Sequence, residues 1–272
     1  MKNIFLFTGL AVVSFNLFAQ QEETESTNED TTRIRLKHME ILIVENSGSS
    51  ATSDTVTLEP VELRRNIAHW AGVDFGFNVI VNGAGGQSFP GEPYLKNDIA
   101  RSQIWNLNIL EHKFKIVKEY VGLTTGLGFH FNQISFDNNY ILGKNGDSTF
   151  ALMDTVLSYE KNKLRATYLT VPLLLEFNTN KNNNRGFYFA AGVVGGLRIG
   201  SRYKTVHKDN GERVKSVQRG DYNLSPFKLD LTARLGYGSF GAFATYNLIP
   251  VFEDSATANK AHSLTAGITL NF

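Results

Sequence analysis

The sequence predicts an all-β protein, an eight-stranded antiparallel up-and-down transmembrane β-barrel preceded by a signal peptide and a short, partly disordered periplasmic leader. Three observations carry this. At the end of the chain Leu264, Ala266, Ile268, Leu270 and Phe272 alternate strictly with Ser263, Thr265, Gly267, Thr269 and Asn271, as in a strand with one apolar face. Eight such alternating segments can be counted from Trp70 onward. The links between them are short and long in turn, which is the asymmetry expected between the two ends of a membrane barrel.

Taken in order, Lys2, the apolar run Ile4 to Val13 and the stretch Phe15 to Gln20 read as a secretory signal, residues 1–19, cut after Ala19. The run is too short for a membrane helix, which needs about 20 apolar residues. Residues 20–66 form a leader. Gln20 to Thr32 holds five acidic residues, no basic ones and no large apolar one, so 20–32 is expected to be disordered. Ile34 to Leu36 and Ile41 to Val44 have strand propensity, as does Thr55 to Leu58 across a polar loop. Residues 33–58 therefore suggest either a small hairpin or an unfolded linker.

The barrel domain spans 67–272. Its strands are expected at Trp70 to Val81, Ser102 to His112, Tyr120 to Asn132, Leu164 to Phe177, Phe187 to Tyr203, Phe227 to Tyr237, Phe240 to Leu248 and the terminal run. Each approximates the 9 to 11 residues of a tilted membrane strand or is somewhat longer. In the seventh segment the parity is ambiguous, because Phe243 falls opposite Ala242, Ala244 and Tyr246. Pro172 lacks a ladder donor and predicts a bulge or kink in the fourth. The short links Lys113 to Glu119, Asn178 to Gly186 and Gly238-Ser239 belong to the periplasmic side. The long ones, Asn82 to Arg101, Gln133 to Lys163, Lys204 to Pro226 and Ile249 to Ala261, belong outside. Two aromatic girdles about 25 Å apart follow: Trp70, Phe177, Phe187, Tyr237 and Phe272 below, Tyr168, Tyr203, Phe227 and Tyr246 above.

Composition excludes several functions. The chain has 27 basic and 26 acidic residues, and Lys2 leaves with the signal, so the mature protein is formally neutral. That gives no electrostatic case for nucleic acid. It has no cysteine, which rules out a disulfide scaffold and a thiolate metal site. With 24 Gly, 20 Phe and 10 Tyr it carries the small interior and aromatic exterior that barrels favour.

His69 to Asn78, Gly122 to Phe129 and Tyr168 to Phe177 resemble the PorT-like outer-membrane β-barrel family of Gram-negative bacteria. The resemblance runs from about Ile67 to Phe272. It implies an eight-stranded barrel in the outer membrane. The even strand count separately returns both termini, leader and C-terminus, to the periplasm. The resemblance implies little about activity, since most members have no assigned function.

An eight-stranded barrel is just wide enough for side chains to fill its interior. By parity Asp74, Glu176, Arg198, Lys228, Asp230 and Arg234 face inward with His130, and buried ions must be paired and hydrogen-bonded. The expected arrangement is a charge network that plugs the lumen, with Arg234 between Asp74 and Glu176. His262 and Ser263 with Glu253 or Asp254 form a hydrolase-like set of no specific spacing, and no His motif binds metal. Gly83 to Gly86 has no following helix to make a phosphate site. No catalytic residue, cofactor or metal ligand is assigned. The function expected is a structural or interaction role without catalysis. A narrow or gated small-solute pore is the alternative, and an outer-membrane lipid-modifying enzyme a further one. Expected partners are outer-membrane lipid, the barrel assembly machinery acting through the terminal strand and Phe272, and a periplasmic protein held by residues 33–45.

Overall fold

The computed structural model describes residues 31–36, 39–44, 68–136, 139–180, 185–209 and 211–272. The expected signal peptide, Gln20 to Asp30 and Thr55 to Leu58 lie outside them. Contacts divide the chain into two units, Met1–Arg64 and Arg65–Phe272. In the first, β1 (Thr31–Leu36) pairs antiparallel with β2 (Met39–Val44) from Thr31↔Val44 to Leu36↔Met39. The hairpin thus closes inside 31–44, and Thr31 and Thr32 belong to a strand rather than to the expected disordered stretch.

The second unit is the barrel. Its eight strands are β3 (Gly72–Val81), β4 (Gln103–Val117), β5 (Val121–Ser135), β8 (Tyr159–Asn178), β9 (Phe187–Asp209), β11 (Phe227–Tyr237), β12 (Phe240–Asn247) and β13 (His262–Asn271). Each pairs antiparallel with the next, and β13 pairs with β3 from His262↔Val81 to Asn271↔Gly72, so the ring closes. A closed ring leaves no unpaired edge, the condition for a sheet to lie in hydrocarbon. Its outer wall is apolar: Phe75, Phe77, Trp105, Leu107, Val171, Leu173, Leu231 and Ile268 face away from the lumen, and the residues between them are mostly buried and polar.

Three strands run further than their alternation suggests. β4 continues to Val117 because a bulge between Asn108 and Leu110 shifts its register, leaving Ile109 and Leu110 both outside. The turn to β5 shrinks to residues 118–120, and Lys113, expected in that turn, faces the lumen instead. β8 and β9 extend to 20 and 23 residues, and β9 folds back into β10 (Glu212–Arg219). The extra residue in β8 is Glu160, between Tyr159 and Lys161, and opposite Thr167/Tyr168 it is β9 that carries one, Ile199; neither shift is at Pro172. At Pro172 the strand stays in register with β9 opposite Val194, while its pairing with β5 lapses between Thr125↔Leu173 and Gly128↔Thr170. The missing N–H therefore costs one side of the ladder. Phe243 follows the parity of a regular strand and is buried inside.

The four long connections all leave the same end and fold over it. The link from β5 to β8 forms its own hairpin, β6 (Tyr140–Asn145) with β7 (Ser148–Met153). Phe89, Leu95, Leu142, Tyr222, Leu224 and Phe252 come from different loops and pack into one hydrophobic cluster with Tyr168 and Tyr203 of the wall. Tyr168 and Tyr203 are therefore buried under this cap and do not belong to an outer girdle. Trp70 is also buried, inside the lumen. Phe177, Phe187, Tyr237 and Phe272 remain exposed around the short-turn end, and Phe227 near the other.

Candidate functional site

The interior holds three charged clusters in series. At the short-turn mouth the chain leading into β3 turns inward. Glu111 Oε2 accepts from the backbone N–H of Trp70 and Ala71 at 2.9 and 2.7 Å. Glu176 accepts from the His69 N–H at 3.2 Å and Thr124 Oγ1 at 2.8 Å, and lies 2.9 Å from His69 Nδ1 and 3.4 Å from Lys113 Nζ. The His69 ring stacks on Tyr188 at 4.0 Å. Gly236 and Gly241 leave the space that Tyr188 fills, since a Cβ on either would sit within 2.6 Å of its hydroxyl. The segment before β3 is thereby latched into the barrel.

One level deeper, Arg234 reaches across the lumen to Asp74, Nη1 to Oδ2 at 3.1 Å and Nη2 to Oδ1 at 2.7 Å. Nη2 also donates to Thr269 Oγ1 at 2.7 Å, and Asp74 accepts further bonds from Asn106 and Asn108. The guanidinium lies 5.1 Å from the Trp70 ring and 5.9 Å from Phe243. A desolvated cation over indole gains roughly 2 kcal/mol, so Trp70 adds to the same cluster. Arg234 does not lie between two carboxylates: Glu176 is engaged by Lys113 and His69. Near the cap, Lys228 Nζ meets Asp230 Oδ2 at 2.8 Å and sits over the Tyr168 ring. His130 is buried with Nδ1 2.6 Å from Asn106 Oδ1. Arg198 takes no part in these clusters; its Nη1 donates to the Asp221 carbonyl in the loop before β11.

Sequence parity placed Asp74, Glu176, Lys228, Asp230, Arg234 and His130 on this face without revealing how they pair. Lys113, Glu111, His69 and Trp70 were missed. Trp70 has the parity of Gly72 and Asp74 and was legible as inward. Lys113 was not, because the bulge reverses parity, although the doublet Ile109-Leu110 marks the reversal. Between the clusters there remains a cavity of about 20 Å³ lined by Trp70, His130, Asp230, Arg234 and Phe243. That is space for about one water, which needs roughly 10 to 15 Å³.

His262 and Ser263 are neighbours on a strand and so face opposite sides of the wall. His262 Nδ1 is 2.9 Å from the Asn247 carbonyl. Among the described residues no three His, Asp or Glu side chains cluster as metal ligands.

The cap is held by polar contacts as well as by its core. Glu92 accepts from the backbone N–H of Ala258 at 2.9 Å and of Asn259 at 2.7 Å, from Asn259 Nδ2 at 2.8 Å and from Tyr94 Oη at 3.0 Å. Burial pulls the Glu92 carboxyl upward, but these donors outweigh it and hold the group below its ordinary value. Lys144 Nζ meets Asp221 at 2.7 Å, and the Thr149 N–H donates to the Ala256 carbonyl. The long loops thus share one core and are joined by hydrogen bonds and an ion pair.

Residues 70–253 match the family described as "Outer membrane protein beta-barrel domain". No curated protein matches the sequence. Among solved structures, that of Ail, the attachment invasion locus protein of Yersinia pestis, is similar with a TM-score of 0.29 at 12% identity, over 74% of this chain and 99% of that one.

Proposed function

This chain belongs to the outer membrane protein beta-barrel domain family, and from that premise we propose that it is a non-catalytic, non-conducting barrel that presents a folded surface for docking. The long-loop end faces outside, and the leader and C-terminus lie in the periplasm. The observation that supports the reading is the packing inside the barrel: three charged clusters and Trp70 occupy it, a cavity of about 20 Å³ lies between them, and loop residues pack into a hydrophobic cluster at the far end. A conduit needs continuous water, and loops that need not move for passage are free to hold one shape. Preordered loops lose less entropy on binding a partner. The exposed Phe272 ends the strand that closes the ring on β3, and we assign it as the mark read by the assembly machinery.

Conductance of the purified protein in planar bilayers tests this. A flat trace from bilayers shown to contain folded protein is expected. Discrete current steps would overturn the reading in favour of a pore, and turnover of bilayer lipid in favour of an enzyme.

A further inference from the structure

The charges inside the barrel are paired; a group outside it is not. Arg165 on β8, Arg202 on β9 and Arg219 on β10 are direct cross-strand partners, forming one rung of three arginines, with Gln133 of β5 beyond Arg165. The next rung toward the cap sets Lys163 against Lys204, with Lys161 two residues further along β8. Like charges directly opposite each other in a sheet are destabilising. Arg165 Nε donates to Gln133 Oε1, and among the described residues no carboxylate pairs with these arginines or with Lys163 and Lys204. Glu160, further along β8, is taken up by Arg213 and Lys208. Burial and the crowding of Arg165, Lys161, Lys204 and Arg101 push the Lys163 ammonium below its ordinary value. The sheet thus carries repulsion that nothing among the described residues offsets.

Position says what would offset it. About 10 residues of β8, counted from Phe177, span the apolar layer and end near Thr167, so the arginine rung stands immediately beyond the hydrocarbon. Directly below it on the outer wall are Trp105, Phe131 and Ile199, exposed by 50%, 43% and 54%. These residues and the three arginines line one groove of about 710 Å³. Apolar below and cationic above, it matches a lipid whose headgroup is anionic. Arginine forks fit the oxygens of a phosphate in bidentate fashion.

We propose that the groove between β5 and β10 binds a phosphomonoester-bearing lipid of the outer leaflet, with Arg165, Arg202 and Arg219 on the phosphate and Trp105, Phe131 and Ile199 against the acyl chains. This rests on the outer-membrane reading above. The site tethers the cap side of the barrel to the headgroup layer and accounts for a row of cations that costs stability when unoccupied.

The test uses the full chain folded in a neutral maltoside detergent and titrated with phosphatidic acid, phosphatidylcholine or inorganic phosphate, read by Trp fluorescence and by co-purified lipid. Phosphatidic acid should bind, weakening as salt rises, and the other two should not. Exchanging the three arginines for Gln should weaken binding about tenfold or more and leave the heat-modifiable folded band in place. Equal binding of phosphatidylcholine, equal binding by the Gln variant, or inorganic phosphate competing alone at similar concentration would overturn the proposal. Arg165→Lys, with the others intact, should bind more weakly than the native chain but retain salt dependence, separating bidentate contact from bulk charge. A chain that does not insert into bilayers sinks the membrane reading itself; one that inserts without selecting the phosphate lipid sinks only this site.

Discussion

Arg234 and Asp74 face each other across the lumen from β11 and β3, 160 residues apart in sequence, and close a two-point ion pair with almost no exposure on either side. Strand alternation puts both on the inner face, and ring closure through β12 and β13 brings them to the same depth. Removing one partner of such a pair leaves a buried charge and costs about 3 to 5 kcal/mol. Arg234→Ala should therefore lower the temperature at which the folded band is lost in an unboiled gel. Arg213→Ala, whose ion pair with Glu160 is exposed, should leave it unchanged. Equal shifts would mean that the lumen is wet.

The mouth cluster should behave as a unit. Glu176→Gln strips the counter-charge from buried Lys113 and should cost about 3 to 5 kcal/mol. Lys113→Met alone should also destabilise. Because the residues share one contact, the double variant should cost less than the sum, with a coupling of about 0.5 to 3 kcal/mol. A strictly additive result in denaturant melts would place the two outside each other's field.

Legibility followed periodicity. All eight barrel strands were readable because a two-residue period, apolar Leu231 or Ile268 outside and polar Thr232 or Thr269 inside, is a local signal. The cap was not, because Phe89, Leu95, Tyr222, Leu224 and Phe252 stand singly in polar loops with no period. What they share is a destination that only closure of the ring creates. Pairing inside the lumen was hidden for a related reason: parity gives the face of a residue but not its depth. Lys113 was lost to a bulge, and the arginine rung became visible only once β9 and β10 were in register.

Depth in the membrane can be tested on the outer wall. Leu231 is near the middle of β11 and Leu235 four residues closer to its end. An arginine at the midplane of a barrel costs about 2 to 4 kcal/mol, falling to about 0 to 1 near the interface. Leu231→Arg should therefore destabilise the barrel in lipid bilayers far more than Leu235→Arg does. Indistinguishable costs would contradict the membrane position of β11.

The cap should loosen in acid. The Glu92 carboxyl is held below its ordinary value in the folded state. Its contribution is thus complete above the unfolded glutamate pKa and lost as pH falls through the lowered folded one. Hydrogen exchange at Ala258 and Asn259 should therefore quicken, beyond its intrinsic change, as pH drops below about 4.3. Glu92→Gln should show the faster exchange already at neutral pH. If wild-type protection stays constant into strong acid, the carboxylate does not hold these loops.

The latch sets a limit on how much of the leader the barrel can lose. Its contacts begin at His69, with the backbone N–H groups of His69, Trp70 and Ala71 on Glu176 and Glu111 and the Trp70 ring beside Arg234. Deleting residues 20–65 should therefore leave assembly and the heat-modifiable band intact. Extending the deletion through Ala71 removes three donors from two buried or half-buried carboxylates and the ring over Arg234, and should abolish the band or lower its melting temperature sharply. Meanwhile, among the described residues, β1 and β2 pair only with each other, so no described strand covers either edge of the hairpin. Strand addition to such an edge is a common mode of peptide binding, and a periplasmic partner should be captured through residues 33–45. Cross-linking in the 20–65 deletion should lose that neighbour. Retention of every cross-linked neighbour would refute the role of the hairpin, and loss of the folded band in the shorter deletion would refute the independence of the barrel.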